Sequence, residues 1–222
     1  MQNPALLTVL FIALFTFIVF NIVSRYFYKK RHQTTYHFYQ MFPYEFNYPA
    51  VFKENPYGNF LFIFSGFAIC AFYILNPYSS IYKIGSLVIS IIFTMILICL
   101  IMMPMSYLKT HIFLSCASIV LSMALPLFNF FLAFEQHRVE LDQLKSALCI
   151  VSMVLSGILA VIMMLLMLNP KLTFKIYYRK EIGEDGKEIL KRPPVIFLAL
   201  TEWMAIFVYF LSAIPVLVIC LL

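Results

Sequence analysis

Glu202 is the residue of this chain with the strongest claim to chemistry, because it stands in FLALTEWMAIFVYF, residues 197–210, a run otherwise suited to hydrocarbon. A carboxylate in such a run either faces the interior of a helix bundle and finds a partner, or marks where the membrane ends. Its neighbour Trp203 belongs to a residue type that favours the membrane–water interface, and the stretch from Val195 to Leu222 is longer than the roughly 20 residues a crossing needs. Setting Trp203 at the headgroups makes Met204 to Leu222 the span and Glu202 interfacial, which is the expected placement. The buried alternative stays open, since a tilted helix absorbs extra length. His111 is the second candidate. It opens a span in MPMSYLKTHIFLSCASIV, after Pro104, where it could meet a phosphate headgroup or a buried partner; an interfacial histidine at a helix end is the ordinary reading.

Little else offers chemistry. The sequence contains no G-x-S-x-G, H-E-x-x-H, G-x-G-x-x-G or Walker lysine loop, so no catalytic residue and no cofactor is expected and the chain leans away from enzymes. In EQHRVELD, His137 sits among Glu135, Glu140 and Asp142, a set that reads as a solvated loop rather than a metal site. His32 and His37 are five apart, wrong for one helix face. Cys70, Cys99, Cys116, Cys149 and Cys220 all fall in apolar runs, are odd in number and form no C-x-x-C pair, which fits buried packing residues rather than disulfides or metal ligands.

The elements that must position Glu202 and His111 follow from composition. Of 222 residues, 63% are hydrophobic and only 12% charged, half of what a soluble domain carries. Six runs, uncharged apart from Glu202 in the last, are long enough to span a bilayer: Ala5 to Val23, Phe60 to Leu75, Ile84 to Met105, Ile112 to Phe134, Ala147 to Leu168 and Val195 to Leu222. The start, MQNPALL, lacks a basic region and no small-residue cleavage site follows, so the first run is read as a retained span. Of the 16 Lys and Arg, only Lys83, Arg138 and Lys145 fall on one side of this arrangement. The positive-inside rule then puts the other side, with loops at about 24–59 and 169–194, in the cytoplasm and both termini outside. The net charge of +6 is thus an orientation signal and an attraction for anionic headgroups, not a nucleic-acid signature. The predicted fold class is an all-α polytopic membrane protein: one domain over 1–222 with six transmembrane helices and a small cytoplasmic β-hairpin between helices five and six.

The hairpin is expected over residues 173–191. There Phe174, Ile176 and Tyr178 alternate with Lys175, Tyr177 and Arg179, Gly183 to Gly186 supply a turn, and Ile189 and Leu190 return. Being marginal alone, it should lean on the first loop or on another chain. That first loop is dense in rings, Tyr36, Phe38, Tyr39, Phe42, Tyr44, Phe46, Tyr48 and Phe52, suited to interfacial packing and, alternatively, to a protein partner. Small residues at four-residue spacing, Ser86, Ser90 and Thr94, Ser118 and Ser122, and Ser152, Ser156 and Ala160, predict close helix packing. Pro126 and Pro215 lie inside spans, where they shape helices.

Pro104 with His111, Thr201-Glu202-Trp203 and the segment FPYEFNYP ahead of span two resemble stretches of the Frag1/DRAM/Sfk1 group of six-span membrane proteins and of related bacterial six-span families. The resemblance implies roles around membrane lipids or trafficking and carries over no catalytic residue. The chain departs from that group in sidedness, since the group's first loop lies on the non-cytoplasmic side. The functional expectation is a non-catalytic lipid-contacting scaffold or subunit of a membrane assembly. Its partners would be membrane lipids and a protein bound through the aromatic loop or the hairpin. The alternative is a small-molecule or lipid transporter, or a lipid-modifying enzyme, using Glu202.

Overall fold

A computed structural model describes residues 4–47, 53–103, 107–173, 179–182 and 188–220. In chain order these form α1 Pro4–His32, a 3-10 turn Pro43–Asn47, α2 Pro56–Leu75, α3 Ile81–Met102, α4 Leu108–Val139, α5 Gln143–Met167, strands β1 Arg179–Ile182 and β2 Glu188–Lys191, α6 Phe197–Leu211 and α7 Ala213–Cys220. Among the described residues six helical segments, the last combining α6 and α7, are long and apolar enough to cross a membrane, and the protein is a multi-pass integral membrane protein.

Local chemistry sets the helix ends. α2 begins with Pro56, where the missing N–H is one the helix would leave unpaired anyway. Ser80 caps α3 by accepting from the Tyr82 N–H, and Asp142 caps α5 by accepting from Leu144 and Lys145 N–H at 2.8 and 3.1 Å. α1 ends on Lys29, Lys30, Arg31 and His32, cations set against the negative pole of the helix dipole. Gln33 then turns the chain with a φ of 55°, the left-handed conformation that stops a helix. This helix runs past the expected end at Val23 because Ser24 and Tyr28 continue its buried face.

The sixth span is the axis of the bundle: 67% of its most apolar window is buried, against 28% for the first and fifth. It is also divided into two helices. Pro215 offers no N–H to the carbonyl four residues back and its ring crowds that carbonyl, so the helix parts at Ser212 between α6 and α7.

The hairpin expectation is corrected. The fold is an all-helical bundle, and a β-hairpin over 173–191 is not one of its packed elements. Among the described residues, strand pairing covers four residues on each side, Arg179–Ile182 against Glu188–Lys191. The alternating Phe174, Ile176 and Tyr178 and the turn at Gly183 to Gly186 lie outside the described residues, as do Tyr48, Phe52 and Pro104. The expected docking on the first loop is made instead by the chain just after β2. Ile196 N–H donates to the Tyr39 carbonyl at 2.8 Å, and Gln40 Nε2 to the Pro194 carbonyl at 2.9 Å.

Helices α2 and α3 approach closely at Gly66, where a methyl group would stand 2.8 Å from Thr94 Cγ2. Thr94 cannot swing aside freely, since its hydroxyl donates to the Ser90 carbonyl at 2.8 Å and also bonds the Tyr209 hydroxyl. Gly66→Ala is therefore expected to destabilise by about 1–3 kcal/mol through overpacking. Unfolding in mild detergent with an unchanged midpoint would contradict this packing.

A buried carboxylate–imidazole site

His111 lies in the first turn of α4 and Ser115 one turn later, so the 3.6-residue period sets them on one face; Glu202 approaches from α6. All three are buried, with His111 at 1% exposure and Ser115 and Glu202 at 0%. Ser115 Oγ donates to Glu202 Oε1 at 2.5 Å, and His111 Nε2 stands 3.4 Å from the same oxygen. Glu202 Oε2 and both imidazole nitrogens are buried with no hydrogen-bond partner. The structure thus brings together Glu202 and His111, two of the residues singled out from sequence, and adds Ser115, which sequence reading passed over.

Glu202 and Trp203 face the interior of the bundle: Trp203 is 0% exposed and its indole is satisfied from within the chain. Trp203 Nε1 donates to the Tyr36 hydroxyl at 2.9 Å and the Met41 carbonyl at 3.1 Å. Tyr36 in turn donates to the Phe42 carbonyl at 2.8 Å. Burial, reinforced by the Glu45 carboxylate, pushes the Tyr36 hydroxyl well above the ordinary tyrosine range, so it stays protonated as that donor. The rings of Tyr36 and Phe46 lie 4.1 Å apart, and the Phe46 ring meets Trp203 edge-on at 5.6 Å. Tyr44 and Phe42 meet the His111 ring edge-on at 5.0 and 6.3 Å. The aromatic first loop is a cap on the bundle end.

Ion pairs hold that cap in place. Glu45 is buried; its Oε1 accepts from Phe42 N–H at 2.9 Å, and Arg192 Nη1 reaches both carboxylate oxygens at 2.9 Å. On the other flank Arg31 donates to Glu54 at 2.5 Å and to the Phe46 carbonyl at 3.0 Å. Asn47 Nδ2 donates to the Ile101 carbonyl of α3 at 3.0 Å.

Chemically, the central group is the carboxylate, flanked by a hydroxyl and an imidazole. In a serine-nucleophile triad the imidazole occupies the middle and takes the serine proton; here His111 does not reach Ser115 through any described bond, so that role is not assembled. The unpaired atoms of the arrangement can take a water or a small polar group.

Deeper in the bundle, sequence reading also missed Asn129. It accepts from Ser86 Oγ at 2.8 Å and donates to the Tyr73 hydroxyl at 2.9 Å and the Ser212 carbonyl at 2.7 Å, stitching α4 to α2, α3 and the α6–α7 break. Its signal was legible: an amide alone in a long apolar run. Ser86 and Ser90 hydrogen bond across helices, Ser90 meeting the Tyr209 hydroxyl at 3.3 Å. Far from Glu202, at the opposite end, His137 Nδ1 and Ser146 Oγ are 2.9 Å apart. No protein-family model, curated protein or solved structure matches the chain.

Proposed function

We propose that this is a non-catalytic membrane protein, a lipid-contacting scaffold or subunit of a membrane assembly, with its basic loops cytoplasmic and both termini outside. The observation that carries the reading is the closure of the Glu202 site by the chain's own first loop. Functional groups that receive a substrate need a way in, whereas Phe42, Tyr44, Tyr36 and Phe46, all buried, cover this one. The outer faces of α1 and α5, with Phe11, Phe15, Ile158 and Leu165 exposed, are left for lipid or a partner helix. The resemblance to the Frag1/DRAM/Sfk1 group points the same way. Affinity purification of the full chain in mild detergent is expected to recover bound lipid or a stoichiometric protein, and Glu202→Gln to leave that recovery unchanged. Loss of cellular activity in Glu202→Gln at normal abundance would overturn the reading.

That opposite outcome belongs to the second reading, a transporter or lipid-modifying enzyme using Glu202. It is favoured by one observation, the unpaired Glu202 Oε2 and His111 nitrogens.

The orientation has its own test. Cysteines introduced at Lys171 and at Leu141, both exposed, should react with an impermeant thiol reagent from opposite sides, Leu141→Cys in intact cells and Lys171→Cys only after permeabilisation. The reverse pattern would invert the topology.

A further inference from the structure

A groove of about 250 Å³ runs between α1 and α6, lined by Phe17, Ile18, Asn21, Ile22, Arg25 and Phe207. Its composition is graded along the helix axis. The deep part, Phe17, Ile18 and Phe207, is wholly apolar. Asn21 follows, with Nδ2 donating to the Phe17 carbonyl at 2.9 Å and Oδ1 buried without a partner. One turn further, roughly 6 Å along the axis, comes Arg25, exposed and in no ion pair among the described residues.

A half-satisfied amide is costly among acyl chains and cheaper at the level of ester groups and their water, and a lone guanidinium suits a phosphate oxygen pair. Acyl, ester and phosphate levels succeed one another in that order in a phospholipid. We infer that the α1–α6 groove is a binding site for one anionic phospholipid of the leaflet at the basic end, its phosphate on Arg25, its ester region beside Asn21 and an acyl chain along Ile18, Ile22 and Phe207. Charge complementarity selects an anionic lipid over a partner helix, which would have to bring an acid into the membrane to answer Arg25. The inference rests on the lipid-contacting reading above and names its ligand.

Native mass spectrometry of the full-length protein in mild detergent, titrated with phosphatidylglycerol or phosphatidylcholine, tests it. The wild type should take up one phosphatidylglycerol about fivefold more tightly than phosphatidylcholine, the effect of one basic residue near a lipid surface. Arg25→Gln should abolish that preference. Lys30→Gln removes the same charge from the same basic segment outside the groove and should retain it. Equal uptake of both lipids by the wild type, an undiminished preference in Arg25→Gln, or equal losses in both variants would each overturn the groove assignment, the last by showing a diffuse attraction. Glu202→Gln, whose phenotype decides the broader functional reading, should leave the lipid count unchanged, so the two can fail separately.

Discussion

Glu202→Ala is expected to destabilise the protein by about 3–5 kcal/mol, the range for breaking one side of a buried ionic or hydrogen-bonded pair. The substitution removes the acceptor of Ser115 Oγ and the only carboxylate near His111 among the described ion pairs, and it leaves both groups buried without that partner. Glu202→Gln keeps an oxygen for Ser115 and should cost less than half as much. His111→Leu combined with Glu202→Leu should recover part of the loss, because two apolar groups of similar shape remove the imidazole–carboxylate pair together and leave only the Ser115 hydroxyl without its acceptor. Unfolding midpoints of the three variants in mild detergent check this ordering. Single and double variants that lose stability additively would show that the two side chains do not interact.

Trp203→Ala should cost about 3–5 kcal/mol, the usual penalty for emptying a large aromatic site, and should loosen the cap as well. The indole fills the space beneath Tyr36 and Phe46 and holds the Tyr36 hydroxyl and the Met41 carbonyl through one N–H. Trp203→Phe separates the two contributions. It retains most of the ring but removes the donor, so about 0.5–1.5 kcal/mol is expected from the lost hydrogen bonds, the Tyr36 hydroxyl and the Met41 carbonyl keeping each other as partners. Limited proteolysis between Thr34 and Asn47 should accelerate in the alanine variant and much less in the phenylalanine one. Equal cleavage of wild type and Trp203→Ala would detach the cap from Trp203.

The spans were legible because length and hydropathy suffice to find a crossing helix. Burial order within the bundle was not. Nothing in the run from Val195 to Leu222 states that it lies at the centre, and a carboxylate beside a tryptophan reads as a boundary when lipid is assumed to surround the helix. The indole that normally seeks the interface found Tyr36 and Met41 instead, residues more than 160 positions away in the chain. The density of rings in the first loop was visible, but its purpose required knowing that α4 delivers His111 and α6 delivers Glu202 to the same end. The 3.6-residue match of His111 with Ser115 was readable and was overlooked because serines in spans usually serve packing. For the 173–191 segment the error was of another kind. Its alternating rings and charges predict a hairpin packed on the first loop, whereas pairing among the described residues extends over four residues on each side.

Amide hydrogen exchange of the full-length protein in lipid nanodiscs tests most directly whether the first loop is a closed cap over the Glu202–His111 pair. The N–H of Phe42 is bonded to Glu45 Oε1 and that of Glu45 to the Phe42 carbonyl. Peptides covering residues 36–47 should therefore exchange nearly as slowly as those of α6, and Trp203→Ala should release that protection while α3 stays protected. Exchange of 36–47 at the rate of an open loop in the wild type would contradict the cap and, with it, the reading of Glu202 as sealed from substrate.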